Sequence, residues 1–275
     1  MKEFFSELER ILLLKDASQK CLATQTLAKN FECDVESFNT KQTALPINIP
    51  LPGYPDGLRL VAPRELKRRG ISTQAGRNVL MHAVAHIEFN ALNLALDAAY
   101  RFRDQPIEYY RDWLSVAADE ARHFGLIRDY LNRHHCDYAD LPAHNGLWEM
   151  AVKTADDVVA RMALVPRVLE ARGLDVTPKM IERLKSVGDL DAVEILNVIY
   201  QDEITHVRIG SDWFSYLCKN DDLEPRANFI RLVKKHLHGE LKGPFNITAR
   251  LQAGFDENEL RDLELAAGIS DPRHS

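Results

Sequence analysis

The chain has 275 residues, 45% of them hydrophobic and 28% charged, with a formal net charge of -6. A chain of this length and composition holds one large domain or two small ones and can bury a full core. The acidic balance argues weakly against a non-specific nucleic-acid-binding protein, which is usually basic, although a local basic patch stays open. We expect neither a signal peptide nor a membrane partner, and the four scattered cysteines favour a cytoplasmic protein with reduced thiols.

Two short helices are predicted at the N-terminus, over residues 3–14 and 18–29, from the helical spacing of their apolar residues. An extended strap follows over residues 45–63. Five prolines and two glycines in that stretch forbid regular helix and sheet pairing. We therefore expect residues 1–69 to pack as helices and strap against a larger helical body.

A first long helical hairpin is predicted over residues 72–134. Ser72 or Thr73 can cap a helix that runs to about residue 103 and is rich in Ala and Leu. Pro106 then begins the second helix, since proline is favoured in the first turn of a helix. The short break between them should make the two helices antiparallel neighbours.

A second hairpin is predicted over residues 147–218. Its first helix should kink at Pro166 and stop at Gly173, and a short helical piece should follow. Gly188 should turn the chain into the last long helix. No strand pattern is convincing, so the predicted fold is all-α. We expect a four-helix bundle over residues 70–220 with a C-terminal helical extension over 221–275, all in one structural domain.

Each predicted hairpin carries an Asp-Glu-x-x-His string. The first is DEARH at residues 119–123, and the second is DEITH at 202–206. In each string the glutamate and the histidine lie three residues apart, on one face of a helix. A lone glutamate precedes the string glutamate by 32 residues in the first hairpin and by 33 in the second. The six predicted metal ligands are Glu88, Glu120, His123, Glu170, Glu203 and His206.

Helix geometry supports these six residues more strongly than their spacing does, because Glu-x-x-His alone is expected about once by chance. Glu88 and Glu120 each lie about 21 Å from the first hairpin turn, at about 1.5 Å per residue, so they should meet across antiparallel helices. Glu170 is separated from the second turn by the expected helix break, and its placement is the weakest. Glu149 is its most credible substitute, and the alternative that all these acids are ordinary surface residues stays open.

Four carboxylates and two imidazoles form the ligand set of a dinuclear metal site in a helical bundle. Hard oxygen and nitrogen ligands suit iron, with manganese as the alternative. We expect Glu120 and Glu203 to bridge two metals and to take part in catalysis, with open positions left for dioxygen.

Three further residues are predicted to support the ligands. A metal-bound histidine usually donates its other N–H to a carboxylate, so Asp119 should hold His206 and Asp202 should hold His123. Tyr200, one turn before the second string, is expected to be a hydrogen-bond or redox partner. The alternatives are that the aspartates are solvated or capping residues and that the tyrosine belongs to the core.

Several segments resemble one family. The segment His86-Ile87-Glu88, the two strings, PAHNGLWEM (142–150), ALVPRVLEARGLDVTP (163–178), the strap and the GPFN tail are similar in order and spacing to the uncharacterised ferritin-like family called domain of unknown function 455. The resemblance covers nearly the whole chain. It implies a ferritin-like four-helix core with a dinuclear metal site at the six residues named above. DEARH also resembles the signature of di-iron monooxygenases, whereas DEITH lacks its arginine.

The favoured function is a non-haem di-iron or manganese–iron oxidoreductase that activates dioxygen to oxidise or hydroxylate a small molecule. An electron-donor protein and a homodimer are partners left open. Three alternatives are a tRNA-modifying hydroxylase, a ferritin-like protein that handles iron or peroxide, and a metal-binding protein without turnover. A basic rim around the pocket would favour tRNA, and the acidic net charge counts against it.

Overall fold

The structure is a computed structural model, and it describes residues 2–41, 44–66, 70–237 and 241–269. Helices dominate these residues. The described strands are one parallel pair of two residues each, β1 (Lys2–Glu3) with β2 (Phe38–Asn39). The predicted all-α fold is confirmed. The chain forms two compact units, the first made of Met1–Lys153 and Arg183–Ile195 and the second of Thr154–Glu182 and Leu196–Ser275.

Five helices lie wholly in the first unit: α1 (Phe4–Leu13), α2 (Ala17–Cys33), α3 (Gln74–Arg101), α4 (Ile107–Arg133) and α5 (Gly146–Lys153). Thr73, one of the two predicted capping residues, accepts a hydrogen bond from the Gly76 backbone N–H at the start of α3. Helix α4 begins directly after Pro106, as predicted. The antiparallel α3–α4 hairpin is the largest helix contact of the unit.

Helix α3 is the central helix of the first unit, in contact with α1, α4 and α5. By length and composition it is the single described helix apolar enough to cross a membrane, yet 78% of its most apolar window is buried inside the protein. That burial is typical of the core helix of a soluble protein. Carboxylates carried by α3 are consequently placed in the protein interior.

The strap (residues 45–63) is joined to the helices by a buried lysine. The Lys20 ammonium donates to the Leu12 carbonyl at 2.9 Å, the Gly53 carbonyl at 2.7 Å and Asn93 Oδ1 at 2.7 Å. Three acceptors match the three N–H donors of an ammonium group, so the charge is solvated by the protein. The lysine thereby connects α1, the strap and α3.

The second unit contains α6 (Val158–Leu164), a π-helical turn (Val165–Glu170), and most of α7 (Ala171–Ser186) and α8 (Leu190–Asn220). Three C-terminal helices follow: α9 (Pro225–Leu237), α10 (Ile247–Gln252) and α11 (Glu257–Ala266). Two buried ion pairs, Arg167 with Glu259 and Arg250 with Asp175, join the C-terminal segment to the turn and α7.

The second predicted hairpin differs from the structure at two places. A helix does begin near residue 147, as α5 (Gly146–Lys153), but it ends at Lys153, and Asp157 caps a new helix by accepting from the Ala160 N–H at 2.8 Å. At Pro166, where a kink was predicted, the helix contains a π turn. The helix also continues through Gly173, which lacks the positive φ of a terminating glycine; Gly188, with φ 75°, ends it.

The strap crosses the end of α1 so closely that it requires a glycine. A Cβ atom on Gly53 would lie 2.2 Å from the Leu14 carbonyl oxygen, whereas one on Gly57 would meet its nearest neighbour at 3.9 Å. We expect Gly53→Ala to lower the free energy of unfolding by about 1–3 kcal/mol through overpacking. The control Gly57→Ala should change it by less than about 0.5 kcal/mol. Chemical denaturation measures both, and equal effects would contradict the close approach.

Candidate metal centre

Glu88, Glu120 and His123 meet between α3 and α4 in the first unit. His123 Nδ1 lies 3.2 Å from Glu88 Oε2 and 3.5 Å from Glu120 Oε2, and all three side chains are buried. One ligand atom of each residue lies within 4.8 Å of those of the other two, which allows the group to hold a metal ion. Atoms that share a metal lie about 3–4 Å apart, because each bond is about 2.1 Å long. The spacing and chemistry of this donor set therefore fit a metal.

Glu88 and His123 both bind their protons more tightly than they would in water, because the pKa of each group is raised. Burial, reinforced by the nearby charge of Glu120, raises the pKa of Glu88 to about 7. Burial alone would lower the pKa of His123, but hydrogen bonds to Glu120 and Glu88 outweigh it and raise that pKa to about 11. Protons on these groups neutralise the buried carboxylates, and a bound cation would do the same.

Aromatic rings pack together at the residues that follow Glu88 and His123 in the chain. Phe89 follows Glu88 in the chain and Phe124 follows His123, and both rings pack on Tyr138 with centroids 5.0–5.2 Å apart. All three rings are buried.

His86 contacts the Tyr138 hydroxyl. Its Nδ1 is 2.8 Å from the Tyr138 hydroxyl, and its Nε2 is 2.9 Å from the His144 carbonyl oxygen. Nε2 also lies 3.0 Å from Asn90 Nδ2. His82 Nε2 accepts from the Ala139 N–H at 3.2 Å. Both histidines hold the loop after α4.

In the second unit, the second string brings Glu203 and His206 together on α8. Glu203 Oε2 lies 4.0 Å from His206 Nδ1. Glu203 is 8% exposed and His206 is 1% exposed, so this carboxylate–imidazole pair is also buried. The helical spacing of three residues places both groups on one face, as the sequence predicted.

The contacts of the π turn and α7 with α8 establish an antiparallel register. Pro166 lies against Gly210, where an added Cβ would approach the proline Cβ to 2.3 Å. Further along, Asn246 Nδ2 donates both to the Leu174 carbonyl oxygen at 3.1 Å and to the Tyr200 hydroxyl at 3.0 Å. Residue numbers therefore rise on one segment as they fall on the other.

Glu170 consequently lies at the height of the second string. It is four residues after Pro166 and four before Leu174, while His206 is four residues before Gly210 and six after Tyr200. At about 1.5 Å per residue, Glu170 and His206 are level to within about one residue. Glu170 is only half-buried, unlike the five other predicted ligands.

Burial separates the predicted ligands from the competing acids. Glu88, Glu120 and Glu203 are buried. Four other acids on these helices are exposed: Glu108, Glu149, Glu182 and Glu194. An exposed acid on a helix surface is solvated by water and needs no metal. Glu149, the most credible substitute for Glu170, lies on the separate helix α5 with its side chain in solvent.

The supporting roles of the aspartates stay predictions. Asp119 Oδ1 accepts from Arg122 Nη2 at 3.2 Å, and Arg122 Nη2 also lies 3.5 Å from His123 Nε2. Asp202 is half-buried. Tyr200 uses its hydroxyl to accept from Asn246, a contact with the C-terminal segment that the sequence did not reveal.

An open groove of about 820 Å³ lies elsewhere in the first unit, between α1 and α2. Glu7, Arg10 and Leu22 are among its lining residues, and none of the predicted ligands is. The groove is therefore separate from the candidate metal centre, and no substrate is assigned from it.

The metal-free cluster should lose stability as pH rises. The folded pKa values of Glu88 and His123 both lie above their unfolded values, so the folded chain binds these protons more tightly. The stability from Glu88 is present below about pH 4.5 and lost as pH rises through about 7; that from His123 declines from about 6.5 toward about 11. Denaturant unfolding of metal-free protein between about pH 5 and 7 should show this decline, and Glu88→Gln should reduce it. A Glu88→Gln profile parallel to that of the unsubstituted chain would contradict the raised pKa.

The comparisons with known proteins agree with the extent of this architecture. A family model described as "Protein of unknown function (DUF455)" matches residues 13–261. A relative described as "Uncharacterized protein", from Haemophilus influenzae (strain ATCC 51907 / DSM 11121 / KW20 / Rd), is 40% identical over 268 residues, which cover 94% of this chain and 92% of the relative. No solved structure matches the chain. The chain therefore belongs to the DUF455 family of proteins of unknown function.

Proposed function

We propose that this protein is a ferritin-like, dinuclear-metal oxidoreductase that uses dioxygen to oxidise or hydroxylate a small molecule. The observation that carries the proposal is the buried cluster of Glu88, Glu120 and His123, whose ligand atoms lie within 4.8 Å of one another. Buried carboxylates are costly unless they are protonated, paired or bound to metal. A simple ion pair with His123 would need one carboxylate, whereas this cluster buries two.

The proposed ligand set has two halves. Glu88 and His123 would hold one metal, while Glu170 and His206 would hold the other. Glu120 and Glu203 would bridge the two metals. The donors are hard oxygens and imidazole nitrogens, which suit iron, with manganese as the alternative. Two such metals, when bound, would supply the redox chemistry for the reaction of dioxygen with substrate.

The side chains of the protein would prepare this chemistry. To bind a metal, Glu88 and His123 must release the protons that burial and hydrogen bonding hold in the metal-free chain. Arg122 Nη2, 3.5 Å from His123 Nε2, would keep a positive charge beside the imidazole.

The biological setting of the site is also proposed. A small-molecule substrate, an electron-donor protein and the cytoplasm fit an oxidoreductase of this kind. A tRNA-modifying hydroxylase, an iron- or peroxide-handling protein and a metal-binding protein without turnover are the alternatives that the experiment below separates. Whether the chain forms a homodimer stays a prediction.

Replacing one proposed bridging ligand tests the proposal. We expect the unsubstituted chain, loaded anaerobically with ferrous iron, to retain about two irons per chain, in keeping with the dinuclear ligand set. Glu120→Gln keeps the shape of the side chain but removes its charge, and it should lower the retained iron to about one or none. The matched control Glu108→Gln changes an exposed acid on the same helix and should retain iron fully. Elemental analysis after gel filtration measures the iron.

A pulse of dioxygen then separates the functions. A transient visible chromophore that decays faster with an added organic substrate supports the oxidoreductase, and decay accelerated by tRNA supports the tRNA hydroxylase. Oxidation of many irons per chain into a retained ferric mineral would indicate iron storage instead. Iron that binds without reacting with dioxygen would indicate a non-catalytic metal-binding protein. Equal iron in all three chains, or none in any, would exclude the proposed site.

A further inference from the structure

The helix that carries Glu170 contains a π turn immediately before the α7 helix. The Ala171 N–H donates to the Pro166 carbonyl oxygen, five residues back, where an α-helix would use the residue four back. A π turn contains about one residue more than an α turn, so it rotates the side chains that follow by about 100°. The direction of the Glu170 side chain therefore depends on this turn.

Pro166 packs closely against Gly210 of α8. A Cβ on Gly210 would lie 2.3 Å from Pro166 Cβ and 2.4 Å from Pro166 Cγ. The pyrrolidine ring is tied to its own backbone and cannot swing aside as a flexible side chain would. Any side chain at residue 210 must therefore displace the backbone of the π turn.

The contact sits one helical turn from both predicted ligands. Pro166 is four residues before Glu170, and Gly210 is four residues after His206. In the antiparallel register described above, this contact sets the distance between the two backbones next to the ligands. Glycine is the smallest residue, so it permits the closest approach of the two helices.

The neighbouring residue fixes the turn from its other side. Arg167 is 2% exposed, donates through Nη2 to both carboxylate oxygens of Glu259 at 3.0 and 2.9 Å, and donates through Nε to Ser211 Oγ at 3.2 Å. Its guanidinium also lies 4.1–4.8 Å from three ring centroids, those of Phe214, Phe229 and Phe255. A buried, bidentate and stacked arginine has little freedom to move.

We propose that the Pro166–Gly210 contact holds the π turn in place, so that the Glu170 side chain points toward α8 at the height of His206. Pro166 and Gly210 are then positioning residues of the metal site, acting through Glu170 without touching a metal. This inference rests on the proposed function, because it assumes that Glu170 is a ligand.

Cobalt(II) binding to three full-length variants tests the inference. Pro166→Ala restores the missing N–H and lets the turn revert to α-helix; Gly210→Ala pushes the turn away from α8. Each variant should bind the second of two cobalt ions with about tenfold or more lower affinity and with altered visible absorption bands. The affinity for the first ion should not change. The matched control Gly173→Ala adds a methyl group to the same helix, where nothing lies within 4 Å, and should bind both ions normally.

Each outcome gives a decision. Unchanged binding of both ions by Pro166→Ala and Gly210→Ala would overturn the positioning role while leaving the proposed function intact. An unsubstituted chain that binds no cobalt would overturn both. Far-ultraviolet circular dichroism and melting of the metal-free chains monitor folding. Because alanine is the better helix former, Pro166→Ala should melt no lower than the unsubstituted chain. If Pro166→Ala failed to fold, the proline would be needed for folding, and the inference would be wrong.

Discussion

The interior of the α3–α4 hairpin must accommodate two buried carboxylates, and this constraint dominates the first unit. Glu88 is 3% exposed and Glu120 is 0% exposed, with His123 between them. The free-energy cost of removing two like charges from water is large unless protons or a cation neutralise them. Burial raises the pKa of Glu88, and hydrogen bonds to the two carboxylates raise the pKa of His123, so protons offset the negative charge of the metal-free cluster. A bound cation would offset the same charge.

The surrounding structure provides rigid support for this arrangement. Helix α3 is packed against α1, α4 and α5, and this packing holds in place the backbone that carries Glu88. Lys20 joins α1 to the strap and α3 through three hydrogen bonds. In the second unit, the buried Arg167 has the corresponding task, since it fixes the π turn that carries Glu170. Ligand geometry is precise when it is built on such packed helices.

The sequence predicted much of the fold and the meeting of Glu88, Glu120 and His123, for identifiable physical reasons. Long Ala- and Leu-rich stretches and a proline at a first turn define the α3–α4 hairpin, and equal distances from its turn bring Glu88 to Glu120. The π turn at Pro166 escaped prediction because a proline in a helix predicts either a kink or an end, and tertiary contacts select a third solution. Gly210, one turn after His206, was the residue in the sequence that indicated a close approach between this helix and its neighbour. The partners of Lys20 and Arg167 are distant in sequence, so no local pattern could reveal them.

Anomalous X-ray scattering from crystals of the full chain loaded with iron would test the central claim most directly. Data on both sides of the iron absorption edge locate iron independently of any assumption about ligands. The account predicts two iron peaks, one bound by Glu88, Glu120 and His123 and one bound by Glu203 and His206. Crystals of loaded protein with no iron peak at Glu88, Glu120 and His123 would contradict it and would leave protons as the sole neutralising charge in the cluster.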